Sequence, residues 1–457
     1  MREERLSLRP GVFLATDPDR LMLLRREPWH RSDMFGAPTA SKRAMLTKLA
    51  DGPCSVADLE AATTAADGDA AAFTEALQAG GWLVTTVRYD GRDLYSMQPM
   101  DVAGRPPECE FPARNLTLCR FAVLRREGGE VVVESPLARA RMLVHSAAVA
   151  AMVAELAQGE IGAAGVPSAV RDALLADLSR AGLAVPRSRD DAPAARLWSP
   201  PDLLLHGRSR MGTGGYAGGF GRTGWAAPFV EPPVADREGW TDTVLALNRP
   251  DLAALGRSDP PLAAVLEERR SIRTHDDENP MTVNQLSELL YRCAAHRSRA
   301  EDGFPERTGR PYPSGGGMYE LELYPVVRHV DGLAPGMYHY DPRLHQLRLV
   351  CGSGPAVDRL LQGAMWSSMM SARPQALIVL AARFGRLTSM YEQLAYSLIL
   401  KHVGVLYQTM YLVATAMGLA PCGLGAGDAV AFSDATGLEY TVESSVGEFM
   451  LGSRTPQ

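Results

Sequence analysis

The run Ala376-Leu-Ile-Val-Leu-Ala-Ala382 constrains the fold of this chain more than any other segment. Seven apolar residues in succession leave neither face of an extended chain for solvent, the pattern of a central strand covered on both sides. The partners such a strand needs lie nearby. Thr282-Val-Asn-Gln-Leu-Ser-Glu-Leu-Leu-Tyr291 places a Thr cap before an amphipathic helix. Segments 321–327, 336–340 and 347–350 alternate or cluster as strands. Residues 391–417 are apolar at helical spacing and free of proline, which predicts a central helix whose aromatic residues are mostly core. Gly418-Leu-Ala-Pro-Cys-Gly-Leu-Gly-Ala-Gly427 is predicted as a tight turn. Residues 258–457 therefore read as an α+β domain.

The first 190 residues carry a diverged internal repeat. Leu46-Thr-Lys-Leu-Ala-Asp-Gly52 has a counterpart in Val153-Ala-Glu-Leu-Ala-Gln-Gly159, and Leu77-Gln-Ala-Gly-Gly-Trp-Leu83 is echoed by Leu178-Ser-Arg-Ala-Gly-Leu183. A hairpin is predicted ahead of each copy, at 12–24 and at 121–134, the second turning at Gly128-Gly129. Short strands, a helix ending at glycine, a connector and a second helix ending in a Gly-Leu step give the order of a winged helix. The predicted helix before the first wing, residues 70–79, carries no basic residue, which argues against DNA. An exposed strand edge on such a module can accept a peptide as an added strand; the pair can equally be a scaffold without a ligand. The predicted organisation is a first module at 1–100, a second at 101–190, a connecting segment at 191–257 and the α+β domain at 258–457. The connecting segment turns glycine-rich at 212–224, but no Gly-Lys-Ser/Thr follows, so a nucleotide P-loop is rejected.

Composition narrows the function classes. A formal net charge of −6 gives no long-range attraction for nucleic acid. The six cysteines are scattered, with no pair at CxxC spacing, and no His/Cys/carboxylate cluster has metal-ligand spacing. The start Met-Arg-Glu-Glu-Arg-Leu lacks the apolar core of a signal peptide, and no apolar run approaches the roughly eighteen residues of a membrane span. The expectation is a cytoplasmic protein with no metal, no nucleic acid and no membrane partner.

Against that acidic background, Arg269-Arg-Ser-Ile-Arg273 gathers three guanidinium groups and a hydroxyl within five residues. Arginine suits bidentate contact with phosphate or carboxylate, although a run of this kind also occurs as a plain solvated face. Further on, Pro313-Ser-Gly-Gly-Gly317 is a turn whose glycines let backbone approach a flat ligand. Together they point to a phosphorylated, planar cofactor.

These runs, followed in order by Gly336-Met-Tyr-His-Tyr-Asp341, the Tyr391 segment and Gly423-Leu-Gly425, resemble the SagB-type (McbC-like) peptide dehydrogenases of the nitroreductase superfamily. The resemblance covers about residues 198–457. It implies an FMN-dependent enzyme that oxidises thiazoline and oxazoline rings to thiazoles and oxazoles in ribosomally made peptides, with the flavin reoxidised by oxygen, and a homodimer. The two leading modules resemble the peptide-clamp modules that precede the oxidase domain in cyanobactin-type azoline oxidases. The partners so implied are an azoline-containing precursor peptide and cyclodehydratase proteins.

Carried over by position, Arg269, Ser271 and Arg273 would hold the FMN phosphate and ribityl chain, with Arg270 facing outward. Pro313, Ser314 and Gly315 would lie along the ring edge, Leu424 and Gly425 near the reactive ring nitrogen, and Arg454 would add a phosphate ligand. Tyr391 is the catalytic candidate. Met390 stands where the family often carries a lysine, which leaves the base open between Tyr391, the Lys401-His402 pair and neither. Two other functions fit the same residues: an NAD(P)H-dependent nitro or flavin reductase of small molecules, and a flavin-less scaffold of a cyclodehydratase complex.

Overall fold

The structure is a computed structural model. It describes residues 2–17, 19–25, 31–63, 70–100, 115–159, 167–210, 231–237, 239–299, 306–391 and 394–455. Contacts divide the chain into two units, residues 1–219 and 220–457.

In the second unit seven strands form one sheet, in the order Val244–Ala246, Gln346–Gly352, Gly336–Asp341, Leu321–Val327, Ala376–Arg383, Glu443–Ser453, Leu419–Leu424. Every neighbouring pair is antiparallel. The apolar run sits inside it, bonded to Leu321–Val327 on one side and to Glu443–Ser453 on the other. Side chains alternate across a strand, and this strand feeds two cores. Ala376, Ile378, Leu380 and Ala382 face a core shared with the helices Val283–Ala294 and Ala395–Ala416. Leu377, Val379 and Ala381 face another, shared with Pro355–Ser368 and Ala429–Thr436. A continuous apolar run is therefore what a sheet with helices on both faces demands. Thr282 caps the helix Val283–Ala294 in a capping box with Gln285.

Two expectations are corrected here. The central helix is Ala395–Ala416, and Tyr391 precedes it. A short helix, Phe384–Thr388, follows the central strand, anchored by Arg386. That guanidinium, fully buried, donates to the carbonyls of Met318, Glu306 and Pro233 at 2.6–3.0 Å. Helical periodicity in 391–417 could not show that the chain is first tied down at Arg386. The second correction concerns 418–427. Residues Leu419–Leu424 are a strand paired with Glu443–Ser453, and only the stretch after Leu424 turns. Glycine and proline suggested a loop, and tertiary pairing with an edge position of the sheet overrode them.

The first unit contains both copies of the repeat. In the first copy, Arg2–Leu8 pairs with Leu83–Tyr89, the strands Val12–Thr16, Leu21–Arg25 and Arg31–Met34 form a separate sheet, and the helices Ala40–Asp51 and Ala70–Ala79 follow. In the second, Leu116–Leu118 pairs with Ala184–Pro186, the strands Val123–Glu127, Glu130–Glu134 and Ala140–Val144 form a meander, and the helices Ala147–Gln158 and Ser168–Ala181 follow. Gly159 and Gly182 end their helices in the left-handed region, which explains the glycine steps in the repeat. The two copies differ in one respect. Ala140–Val144 continues into Arg92–Pro99 of the first copy, so one six-stranded sheet spans the repeat. In the connecting segment, residues 187–208 form three short helices, and the glycine-rich stretch 212–224 lies outside the described residues.

Candidate functional site

The helix Ala395–Ala416 positions every part of the site, through three polar side chains at successive levels. His402 and Tyr411, nine residues apart, stand about 13 Å from one another along the axis, with Tyr407 between them.

At the Tyr411 level, the hydroxyl accepts the Gly423 N–H at 2.7 Å and lies 2.7 Å from Ser271 Oγ. The Arg269 guanidinium stacks 5.3 Å from the Tyr411 ring centroid. Ile272 donates its N–H to the Pro421 carbonyl, and Arg454 Nε donates to the Leu419 carbonyl, each within one turn of the same strand. Gln375, fully buried, ties the flanking backbone together: its Oε1 accepts from the N–H groups of Met281 and Ser453, and its Nε2 donates to the Asp276 carbonyl. Ser271, Ile272 and Arg454 are thereby held along the strand Leu419–Leu424, with Arg269 on the Tyr411 ring and Arg273 one residue beyond Ile272. Among the described residues, Arg269, Arg270 and Arg273 have no carboxylate partner. Arg270 and Arg273 are exposed, while Arg269 and Ser271 are half-buried. Unneutralised guanidiniums beside a hydroxyl form a donor set that suits a phosphate.

At the Tyr407 level, the hydroxyl accepts the Glu448 N–H at 2.6 Å and donates to the Leu424 carbonyl at 3.3 Å. Below the turn that follows Leu424 lies the Glu448 carboxyl, bonded to Ser445 Oγ. A Cβ on Gly427 would run into that carboxyl, so a larger residue there would have to displace the Glu448 side chain. Burial pushes the Glu448 carboxyl up, against the Ser445 hydrogen bond and with the help of Asp428.

At the His402 level, the Gly315 N–H donates to Nε2 at 2.8 Å and Nδ1 lies 2.7 Å from Glu320 Oε1. Ser314 Oγ donates to the other Glu320 oxygen at 3.3 Å and accepts the Tyr319 N–H at 3.0 Å. Gly316 and Gly317 take φ of 64° and 70°. A Cβ on Gly316 would lie 2.9 Å from the Tyr391 hydroxyl, which places the catalytic candidate against the turn Pro313–Gly317.

The structure thus sets Arg269 and Ser271 against Tyr411, Leu424 against Tyr407, and the turn Pro313–Gly317 against His402 and Tyr391, while Arg273 is exposed. Tyr407, Tyr411, Glu320 and Gln375 are positioning residues that sequence reasoning missed, and His402, named there as an alternative base, holds the turn instead. Periodicity reads tyrosine on a core face as core, and nothing in the order of residues distinguishes a ring that also bonds backbone through its hydroxyl.

The second unit can be set beside known proteins. Residues 266–453 match the nitroreductase family. Over 182 residues the chain is 31% identical to the nitroreductase-type protein MJ1384 of Methanocaldococcus jannaschii, a stretch covering 40% of this chain and 84% of that one. The chain belongs to the nitroreductase family. It is an oxidoreductase, and ahead of its nitroreductase domain residues 116–214 match the cyanobactin oxidase ThcOx. It is also 26% identical over 148 residues to the microcin B17-processing protein McbC of Escherichia coli, spanning 31% of this chain and about half, 52%, of that relative. Among solved structures, the Escherichia coli microcin synthetase McbBCD complex with truncated pro-MccB17 bound is 18% identical, with a TM-score of 0.36, over 57% of this chain and 96% of that one. A nitroreductase-type structure from Ralstonia eutropha is 22% identical, with a TM-score of 0.38, over 52% and 98%. Among the described residues of the chain, no group of side chains could hold a metal ion, and no helix is long and apolar enough to cross a membrane.

Proposed function

We propose that this nitroreductase-family protein is an FMN-dependent dehydrogenase that oxidises thiazoline or oxazoline rings to thiazoles or oxazoles in a ribosomally made peptide. One observation carries the reading: unpaired arginines and two backbone turns are pinned to a single helix, in a chain that also matches a cyanobactin oxidase. Arg269, Ser271, Arg273 and Arg454 bind the phosphate end of the cofactor. Pro313, Ser314 and Gly315 would lie along the ring edge, and the backbone of Leu424 and Gly425 near its reactive nitrogen. FMN, when bound, supplies the two-electron acceptor, and oxygen restores it. Tyr391, held beside Gly316, is the group of this chain placed to relay the proton lost from the azoline carbon. A homodimer covers Tyr396 and Leu400, which are 46% and 40% exposed on the outward face of the long helix.

The peptide docks on the first repeat. Arg31–Met34 is the last strand of its three-stranded sheet, and its outer edge pairs with no strand among the described residues. The counterpart in the second repeat, Ala140–Val144, is already covered by Arg92–Pro99. An extended precursor peptide adds to the open edge, one per chain, where cyclodehydratase proteins can pass it on.

Incubation with an azoline-bearing peptide tests the reading by mass spectrometry. Loss of two hydrogens per ring, abolished in Arg273→Ala and kept in Arg270→Ala, is the expected result. Bleaching of the flavin by NAD(P)H with no change in the peptide would assign the protein to small-molecule reduction instead. A colourless protein that takes up no flavin would leave only a scaffold role.

A further inference from the structure

The His402–Glu320 pair does something other than supply the missing base. A backbone N–H can only donate, so His402 Nε2, which receives the Gly315 N–H at 2.8 Å, carries no proton. The ring proton is therefore on Nδ1, where it donates to Glu320 Oε1 at 2.7 Å. The second Glu320 oxygen accepts from Ser314 Oγ. The bonds close a ring, Gly315 to His402 to Glu320 to Ser314, around the peptide that joins Ser314 and Gly315. Both ionisable members are buried, Glu320 completely and His402 at 6% exposure. Neither ring nitrogen is left to take a proton from a substrate.

We propose that His402 and Glu320 are positioning residues that lock the Pro313–Gly315 turn in its flavin-binding shape, and that a second proton on His402 unlocks it. This rests on the flavin reading of that turn. With both nitrogens protonated, the imidazolium has only donors, and Nε2 faces the Gly315 N–H, another donor. The bond must open, and the turn with it. Glu320 is the ionisable group that faces the ring. The Tyr391 hydroxyl reaches the same turn from the far side of Gly316, and Lys401 neighbours the histidine on the exposed face of the helix. Release of the turn is therefore expected as pH falls.

The experiment is a flavin titration of the full chain, followed by fluorescence quenching from pH 8.5 to pH 5.5, for wild type, His402→Gln and Arg270→Ala. Glutamine offers an acceptor to Gly315 that does not titrate. Wild type should lose about ten-fold in FMN affinity across this range, the worth of one lost hydrogen bond. His402→Gln should bind FMN with a flat profile, and Arg270→Ala should keep the wild-type slope. A flat wild-type profile, or an unchanged slope in His402→Gln, overturns the proposal. Should His402→Gln fail to fold, nitrogen-15 NMR of histidine in the wild type decides: the Nδ1–H tautomer at pH 8.5 supports the lock, and the Nε2–H tautomer overturns it. Absence of FMN uptake by any form would sink the flavin reading itself, whereas normal uptake without pH dependence sinks the lock alone.

Discussion

The two ends of the helix Ala395–Ala416 hold backbone with different chemistry, a strand at one and a turn at the other. At the Tyr411 end, neutral hydroxyls bond Gly423 and Ser271. At the His402 end, a buried histidine and carboxylate bond Gly315 and Ser314. A phenol keeps its proton across physiological pH and an imidazole does not. One helix therefore carries one fixed clamp and one that can respond to acid. The fixed clamp sits beside the arginines of the proposed phosphate site, and the titratable one where the proposed ring edge and Tyr391 meet.

Breaking the charged end should have the largest effect. Glu320→Ala leaves the Nδ1–H of a buried imidazole without an acceptor and opens a void, with an expected loss of about 3 kcal/mol in stability of the second unit. A urea midpoint that does not move would show that the carboxylate is dispensable. Next comes the neutral end. Tyr411→Phe strands the Gly423 N–H and should cost about 1–2 kcal/mol together with about ten-fold in FMN affinity, equally at all pH values. A pH-dependent loss would erase the contrast between the ends.

Two single groups sharpen the comparison through pH. Burial holds His275 at about 4 against an ordinary value of 6.5, so the unfolded chain takes up the proton first. Its stabilisation is complete above 6.5 and lost as pH falls toward 4, and His275→Gln should flatten that limb of a melting-temperature profile. Glu448 has the opposite sign. Its carboxyl is raised, so its stabilisation is complete below 4.5 and lost as pH rises through the raised value. Glu448→Gln should match wild type in acid and melt higher than wild type at alkaline pH. The smallest effect expected is for Arg270→Ala, within about 0.5 kcal/mol.

How much of this could be read from the order of residues depends on what each residue's neighbours are. The central strand was legible because burial on both faces forbids polar residues anywhere along it. The repeat was legible because glycine ends its helices, in the left-handed region at Gly159 and Gly182. The arginine cluster stood out in the sequence, but a solvated face reads the same, and the residue order alone does not separate the two. The strand Leu419–Leu424 was not, since its proline and glycine are tolerated only because Glu443–Ser453 pairs alongside. The clamps were hidden for a related reason. His402 and Glu320 are 82 residues apart, and neither residue signals the other until the sheet has brought the turn up to the helix.

The strand Ala140–Val144, bonded to Arg92–Pro99, has a consequence for how the repeat can be taken apart. Duplicated modules are usually thought of as separable beads. Here, a cut between the copies would bare a row of unsatisfied N–H and C=O groups on each half, in strands already shaped to receive a partner. Such halves would be prone to stick to one another and to themselves. The duplication has become a single cohesive body, and its two copies must be inherited, expressed and folded together.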